Sequence, residues 1–177
     1  VNADGTVRML EAARRHGVRR FVNSSSSSVY GDGQSEAAQT APKSESQMPS
    51  PRSPYAASKL AAEAAVRAWC RSLGMSGLSL RYFNVFGPRQ RADSAYAAVI
   101  AAFARRLMSG ETPVIYGDGQ QARDFTPVAS VVAANLLAGV CQRPCDGQAV
   151  NIGTGRRTDL LALFALMAGR LGMQHVR

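Results

Sequence analysis

Arg20-Phe21-Val22-Asn23-Ser24 runs straight into Ser25-Ser26-Ser27-Ser28-Val29-Tyr30-Gly31, and the fold turns on how that stretch is read. Residues 20–24 form a short extended run. The serines after it open a turn-rich loop through Gly31, Gly33, Pro42, Pro49 and Pro51 to residue 53. To its left, residues 3–16 predict a helix closed by Gly17, with Val7, Leu10 and, as a further candidate, Met9 facing inward. To its right, Ser53 is a good N-cap and Pro54 suits the first helical position. An alanine-rich run from Tyr55 to Ser72 follows, closed by Gly74.

The same alternation continues. Leu78 to Phe83 predicts a second strand, residues 95–109 a helix, and Pro113 to Tyr116 a short strand before the turn Gly117-Asp118-Gly119. A helix from Val128 to Gln142, a third core strand from Gln148 to Ile152, a loop over 153–157 and a helix over 158–171 complete the chain. Strands and helices alternating through short connections imply a parallel α/β sheet covered on both faces.

Composition narrows the function classes. With 46% hydrophobic residues, 177 residues can build one core, which excludes disorder along most of the length. No apolar run approaches the roughly 20 residues that span a bilayer, and the chain opens without the basic and apolar segments of a signal peptide. Cys70, Cys141 and Cys145 cannot all pair, and the lone C-x3-C has no second pair or nearby His to complete a zinc site. A reducing cytoplasm, no membrane partner and no metal are therefore expected. Lys and Arg exceed Asp and Glu by 21 to 12, giving +9, and Lys43 and Lys59 are the only lysines. The arginine pairs fall mostly at predicted helix ends, where cations favour the negative end of the dipole. No aromatic residues interleave with them as stacking platforms, so a nucleic-acid partner is not expected.

Tyr55 and Lys59 stand four apart at a helix start, which projects both side chains from one face. An ammonium and the positive helix terminus both stabilise a phenolate, making the two a workable acid-base pair, although Y-x3-K on a solvated helix is commonplace. The context supplies what the spacing lacks. The serine run lies at the carboxyl end of a predicted parallel strand, where open α/β sheets bind ligands and hydroxyls can donate to a substrate oxygen. Tyr82 to Gln90, a second strand end, brings Asn84 and Arg89 to the same edge.

On these phrases the chain resembles the extended short-chain dehydrogenase/reductases, and within them the NAD-dependent epimerase/dehydratase group of the UDP-glucose 4-epimerase type. The matching phrases run in the family's order: Asn2 to Thr6, Gly17 to Val22, the serines ending in Tyr30-Gly31-Asp32, and Ser53 to Lys59. Leu80 to Gln90, Tyr96 to Ile100, Ile115 to Gly119, Arg123-Asp124-Phe125 and Asn151 to Gly155 complete them. The resemblance implies a Rossmann-like doubly wound parallel sheet with a small carboxy-terminal substrate-binding region. It also implies NAD as cofactor and a nucleotide-diphosphate sugar as substrate.

Position by position, the resemblance makes Tyr55 the base on the sugar hydroxyl, Lys59 the ligand of the nicotinamide ribose, and Ser26 the hydrogen-bond partner of the reacting oxygen. Asn2, Ser24 and Phe83 join Tyr55 and Lys59 on the cofactor; Asn84, Arg89, Val99 and Arg123 join Ser26 on the substrate. Arginine suits a diphosphate because its planar fork binds phosphate oxygens in pairs. For Arg123 the alternative is an ion pair with adjacent Asp124. The related dehydratases and decarboxylases carry acidic residues after the position of Ser26, where this chain has Ser27 and Ser28, which favours epimerase over dehydratase or reductase.

The family's glycine-rich pyrophosphate turn is absent from the 177 residues, and Gly153-Thr154-Gly155-Arg156-Arg157 lacks the third glycine to replace it. The resemblance therefore implies an amino-terminal truncation of roughly 100 residues, at about 30 or more per βαβ unit. Residues 1–87 would be the remainder of the NAD-binding domain. Residues 88–177 would be the substrate-binding region, interleaved with the returning strand near 148–152. Taken alone, such a fragment is expected to aggregate or stay partly molten without turnover, its strand at Phe21 left as an open edge. A truncated, inactive sugar-nucleotide binding module is the non-enzymatic alternative. The helices at 3–16 and 54–72, with Ala56, Ala57, Ala61, Ala62, Ala64 and Ala65, match those that pair across the family's dimer, implying a homodimer when complete.

Overall fold

The computed structural model describes residues 1–31, 41–91 and 99–173. Gly33, Asp32, Tyr96 and the predicted helix start at residue 95 lie outside them. In chain order the elements are α1 (Asn2–Arg15), β1 (Arg20–Ser26), a 3-10 turn (Ser27–Tyr30), α2 (Pro54–Leu73), β2 (Ser76–Tyr82), β3 (Asn84–Phe86) and α3 (Val99–Met108). Then come β4 (Ala122–Arg123), β5 (Phe125–Pro127), α4 (Val128–Val140), β6 (Asp146–Ile152), β7 (Thr158–Asp159) and α5 (Leu160–Arg170). They form two compact units, Val1–Phe83 with Ser130–Ile152, and Asn84–Ala129 with Gly153–Arg177.

The first unit is a parallel sheet in the order β1-β2-β6. Side chains alternate across it. On one face, Leu10 and Ala13 of α1 meet Val66 and Cys70 of α2 over Phe21. On the other, Ala134 and Ala138 of α4 cover Val22, Leu78, Leu80 and Val150. Each fully buried aliphatic side chain, such as Leu10 or Val66, contributes about 1.5–3 kcal/mol to holding these layers. This is the expected doubly covered α/β sheet. Gly147 lets β6 begin hard against α2: it has φ +74, and a Cβ there would lie 2.4 Å from the Arg67 Cα.

In the second unit β3 runs parallel to β5, and β4 pairs antiparallel with β7. Leu107 of α3 and Ala168 of α5 form its small core, with Phe103 edge-on to Phe164 at 6.3 Å. Asp159 caps α5 by accepting from the Ala162 N–H.

Several expectations need correction. In α1 only Leu10 and Ala13 are buried, while Val7 is 36% and Met9 61% exposed. The stripe facing α2 is narrow, with Val7 at its margin and Met9 about 100° round the helix. The serines do not leave the strand at Ser24. Ser24, Ser25 and Ser26 pair with Leu80, Arg81 and Tyr82, and only then does the chain turn. Residues 113–116 form no strand, consistent with Pro113, which cannot donate to a ladder. Of the alanines matched to a dimer face, Ala56 and Ala62 belong to the intrachain core, whereas Ala57, Ala61 and Ala64 are exposed. No described helix is long and apolar enough to cross a membrane. Cys70, Cys141 and Cys145 are free thiols, and no group of three or more His, Cys, Asp or Glu gathers as a metal site among the described residues.

Candidate active site

Helix α2 starts where its sequence says it must: the Ser53 hydroxyl accepts from the Ala56 N–H at 3.1 Å and Pro54 fills the first turn. That start sets Tyr55 and Lys59 one turn apart at the carboxyl end of the sheet's first strand. The Lys59 Nζ donates to the Ser24 carbonyl at 2.8 Å and stands 5.8 Å from the centre of the Tyr55 ring. Partial burial pushes the Lys59 ammonium down from the usual lysine range, because desolvation penalises the charged form. Tyr55 is 51% exposed, so the aromatic ring is open to solvent.

Ser26 follows on the same strand, and its hydroxyl accepts from the Ser28 N–H at 3.2 Å, capping the 3-10 turn. The Ser24 hydroxyl lies 3.2 Å from that of Tyr82, which also meets the Asn135 amide. Asn2 reaches α2, where its Nδ2 donates to the Ser58 hydroxyl at 3.0 Å, and that hydroxyl donates to the Tyr55 carbonyl. Phe83 ends the strand edge, its N–H bonded to the Ile152 carbonyl at 3.2 Å. Tyr55, Lys59 and Ser24 are thus in one cluster, with Asn2 behind its helix.

The second unit holds a cavity of about 280 Å³ lined by Asn84, Val85, Phe86, Val99, Ile100, Gln121, Arg123, Phe125 and Leu160. Three of the four residues assigned to substrate on the second unit, Asn84, Val99 and Arg123, line it; Arg89 does not. Arg89 instead sits on the exposed loop after β3 in the left-handed region, at φ +68. Asn84 is fixed by its N–H and Nδ2, which both donate to the Asp124 carbonyl, at 3.1 and 3.3 Å. The carboxylate of Asp124 accepts from the Thr154 N–H and hydroxyl and from the Gly155 N–H at 2.7–3.0 Å. It therefore clamps the 153–155 loop instead of pairing with Arg123, whose guanidinium bonds the Ala122 carbonyl at 2.9 Å.

The sequence reading missed a buried ion pair in the first unit. Arg81 Nε and Nη2 donate to the two oxygens of Glu63 at 2.9 and 2.7 Å, and the Ser25 hydroxyl donates to the same carboxylate. Burial opposes the charge on Arg81, yet the Glu63 hydrogen bonds hold its guanidinium above the ordinary arginine range. The available signal was Glu63 itself, a carboxylate one turn beyond Lys59 in an otherwise alanine-rich run.

Residues 1–153 match the family model described as NAD dependent epimerase/dehydratase family. The UDP-glucose 4-epimerase of Mycolicibacterium smegmatis is 40% identical over 174 residues, which are 97% of this chain and 53% of that protein. The structure of a UDP-N-acetylglucosamine 4-epimerase from Methanobrevibacter ruminantium, in complex with UDP-N-acetylmuramic acid, superposes with a TM-score of 0.90 at 36% identity, covering 98% of this chain and 53% of that one. A UDP-glucuronic acid 4-epimerase from Bacillus cereus, solved with UDP-glucuronic acid and NAD, gives 0.84 at 29% identity over 97% of this chain and 51% of that one. The chain thus spans about half the length of the relatives it matches, and its sheet is Rossmann-like as theirs is. With most of its length matched by the family model, this chain belongs to the NAD dependent epimerase/dehydratase family.

Proposed function

We propose that the polypeptide carrying this chain is an NAD-dependent nucleotide-sugar 4-epimerase acting on a UDP-hexose or UDP-N-acetylhexosamine. The observation that carries the reading is the Tyr55, Lys59 and Ser24 cluster at the carboxyl end of β1. The residues present fit the nicotinamide-ribose end of NAD, since Lys59 commits one of its three donors to Ser24 and holds its ammonium beside Tyr55. Held there by Lys59, NAD would supply reversible hydride transfer at the sugar C4, so that a 4-keto sugar regains hydride on its other face.

The chain's own residues move protons and hold the sugar. Tyr55 accepts the proton of the 4-hydroxyl and returns it, Lys59 stabilises the phenolate, and Ser26 donates to the reacting oxygen. In the second unit Asn84, Val99 and Arg123 line the pocket for the nucleotide and diphosphate, with Arg89 at the phosphates. On this reading Tyr55, Lys59 and Ser26 of the first unit serve the chemistry, and the second unit supplies further substrate contacts. The absence of a carboxylate at Ser27 and Ser28 favours epimerisation over dehydration, which must protonate a leaving hydroxyl. The complete protein would work in the cytoplasm as a homodimer.

The natural polypeptide containing residues 1–177 is to be incubated with NAD and UDP-glucose, UDP-N-acetylglucosamine or dTDP-glucose, and the sugars resolved by NMR. A C4 epimer is expected, and Tyr55→Phe should cut its rate by about 10²–10⁴-fold with the fold intact. A 4-keto-6-deoxy product would make it a dehydratase. Sugar-nucleotide binding without turnover would make it a binding module.

A further inference from the structure

The buried polar groups around Glu63 have a geometry that packing alone does not require. Ser25, Arg81 and Asn151 occupy one row across the three parallel strands, in register. The row lies one residue before Ser26, Tyr82 and Ile152, where the paired register ends. Ser25 and Arg81 are each 3% exposed and Glu63 5%. Above the row, the Arg81 guanidinium lies 4.7 Å over the Tyr30 ring, and the Tyr30 hydroxyl donates to Asn151 at 2.7 Å. Asn151 in turn donates from Nδ2 to the Lys43 carbonyl and from its N–H to Glu45.

Burying two charges costs more than burying apolar residues of the same size, so such a pair is weak as a source of stability. What a two-point guanidinium–carboxylate contact supplies is direction. Glu63 is one turn past Lys59 and two past Tyr55 on α2, roughly on one helix face. Two successive strand residues therefore meet two successive helix turns. The Ser24 carbonyl takes the Lys59 ammonium, and the Ser25 hydroxyl bonds Glu63.

We propose that Ser25, Glu63 and Arg81 are positioning residues, which lock the roll and height of α2 on the end of β1 and so hold Tyr55 and Lys59 in reacting geometry. The proposal rests on the epimerase reading for its catalytic consequence, but the placement of Lys59 is measurable without turnover. A displacement of about 1 Å in a catalytic group is enough to cost on the order of 100-fold in rate.

Glu63→Gln strands the Arg81 charge and lowers thermal stability together with rate, so the deciding variant is Ser25→Ala, which keeps the ion pair and removes only its tie to β1. In the natural polypeptide, Ser25→Ala should lower kcat about five- to tenfold with KM within twofold of wild type. In the same protein, the rate at which acetic anhydride acetylates Lys59, read by mass spectrometry against an added lysine peptide, should rise at least about threefold as the Ser24 contact loosens. Wild-type kcat and an unchanged Lys59 acetylation rate in Ser25→Ala would overturn the proposal. If the wild-type protein forms no epimer, the function reading fails, and the acetylation rate alone decides the positioning.

Discussion

The two units solve opposite problems with opposite materials. The first hides charge: Glu63 and Arg81 lie under the sheet's carboxyl edge, and the groups in front of them, Lys59 and Tyr55, inherit a fixed backbone. The second leaves its charge in the open, with Arg89 exposed on the loop after β3 and Arg123 exposed on the two-residue β4 at a pocket of about 280 Å³. A proton-transfer site needs atoms held to a fraction of an ångström, which buried directional bonds provide. On the proposed function the second unit meets a large flexible anion, which calls for reach and water-exposed donors instead. The difference teaches where to expect tolerance: substitutions at the buried Glu63 and Arg81 of the first unit should damage rate and stability together, and those at the exposed Arg123 of the second should separate binding from folding.

The hardest blow to that contrast is Gly147→Ala. Its Cβ would enter the α2 backbone at a left-handed position, and a loss of about 3 kcal/mol is expected, read by urea unfolding. A loss below about 0.5 kcal/mol would mean that β6 and α2 can separate cheaply. Next, if the proposed function holds, Arg123→Ala should raise KM for the sugar nucleotide about 10- to 100-fold, the range of a hydrogen bond to a charged group, with the melting temperature unchanged. A fall in kcat at constant KM would move Arg123 from binding to chemistry. Asp124→Ala frees the Thr154 and Gly155 donors to water and should cost about 1 kcal/mol, seen as faster amide exchange confined to residues 153–156.

The smallest effect belongs to the surface of α1. Hydrogen bonds from Arg14, then Arg15, hold the Glu11 carboxyl down to about 2. A depressed carboxylate contributes fully above its ordinary value of 4.5 and loses that contribution as pH falls toward 2. Glu11→Gln should therefore flatten the acid limb of the melting curve slightly between those values, and 1 M salt should erase the difference. A large shift would show that α1 depends on its surface charges more than on Leu10 and Ala13.

Much of the first unit was legible from local signals. The Ser53 cap, Pro54 and Gly74 delimit α2 to within a residue of where it runs, because each acts on its own neighbours. Tyr55 and Lys59 were legible because helix spacing alone puts them on one face. The end of β1 was not, since Ser24 to Ser26 carry no strand preference and are extended because Leu80 to Tyr82 pair with them. The short strand expected at 113–116 failed for the converse reason: Val114, Ile115 and Tyr116 suit a strand, but Pro113 cannot donate to a ladder and none pairs with them. In the second unit Asn84 and Arg123 were readable as candidates, but that Asp124 clamps the 153–155 loop was not.

By itself, the sequence determined the family, through phrases in order along the chain, and also the alternation of elements, the limits of α2 and the Tyr55 to Lys59 spacing, which are consequences of forces acting within a few residues. The tertiary structure decided which charges are buried, which serine faces Glu63 and which residues share the pocket. Those depend on desolvation and on hydrogen bonds between residues far apart in the chain, such as the 18 that separate Glu63 from Arg81, and such energies exist only once the layers have closed.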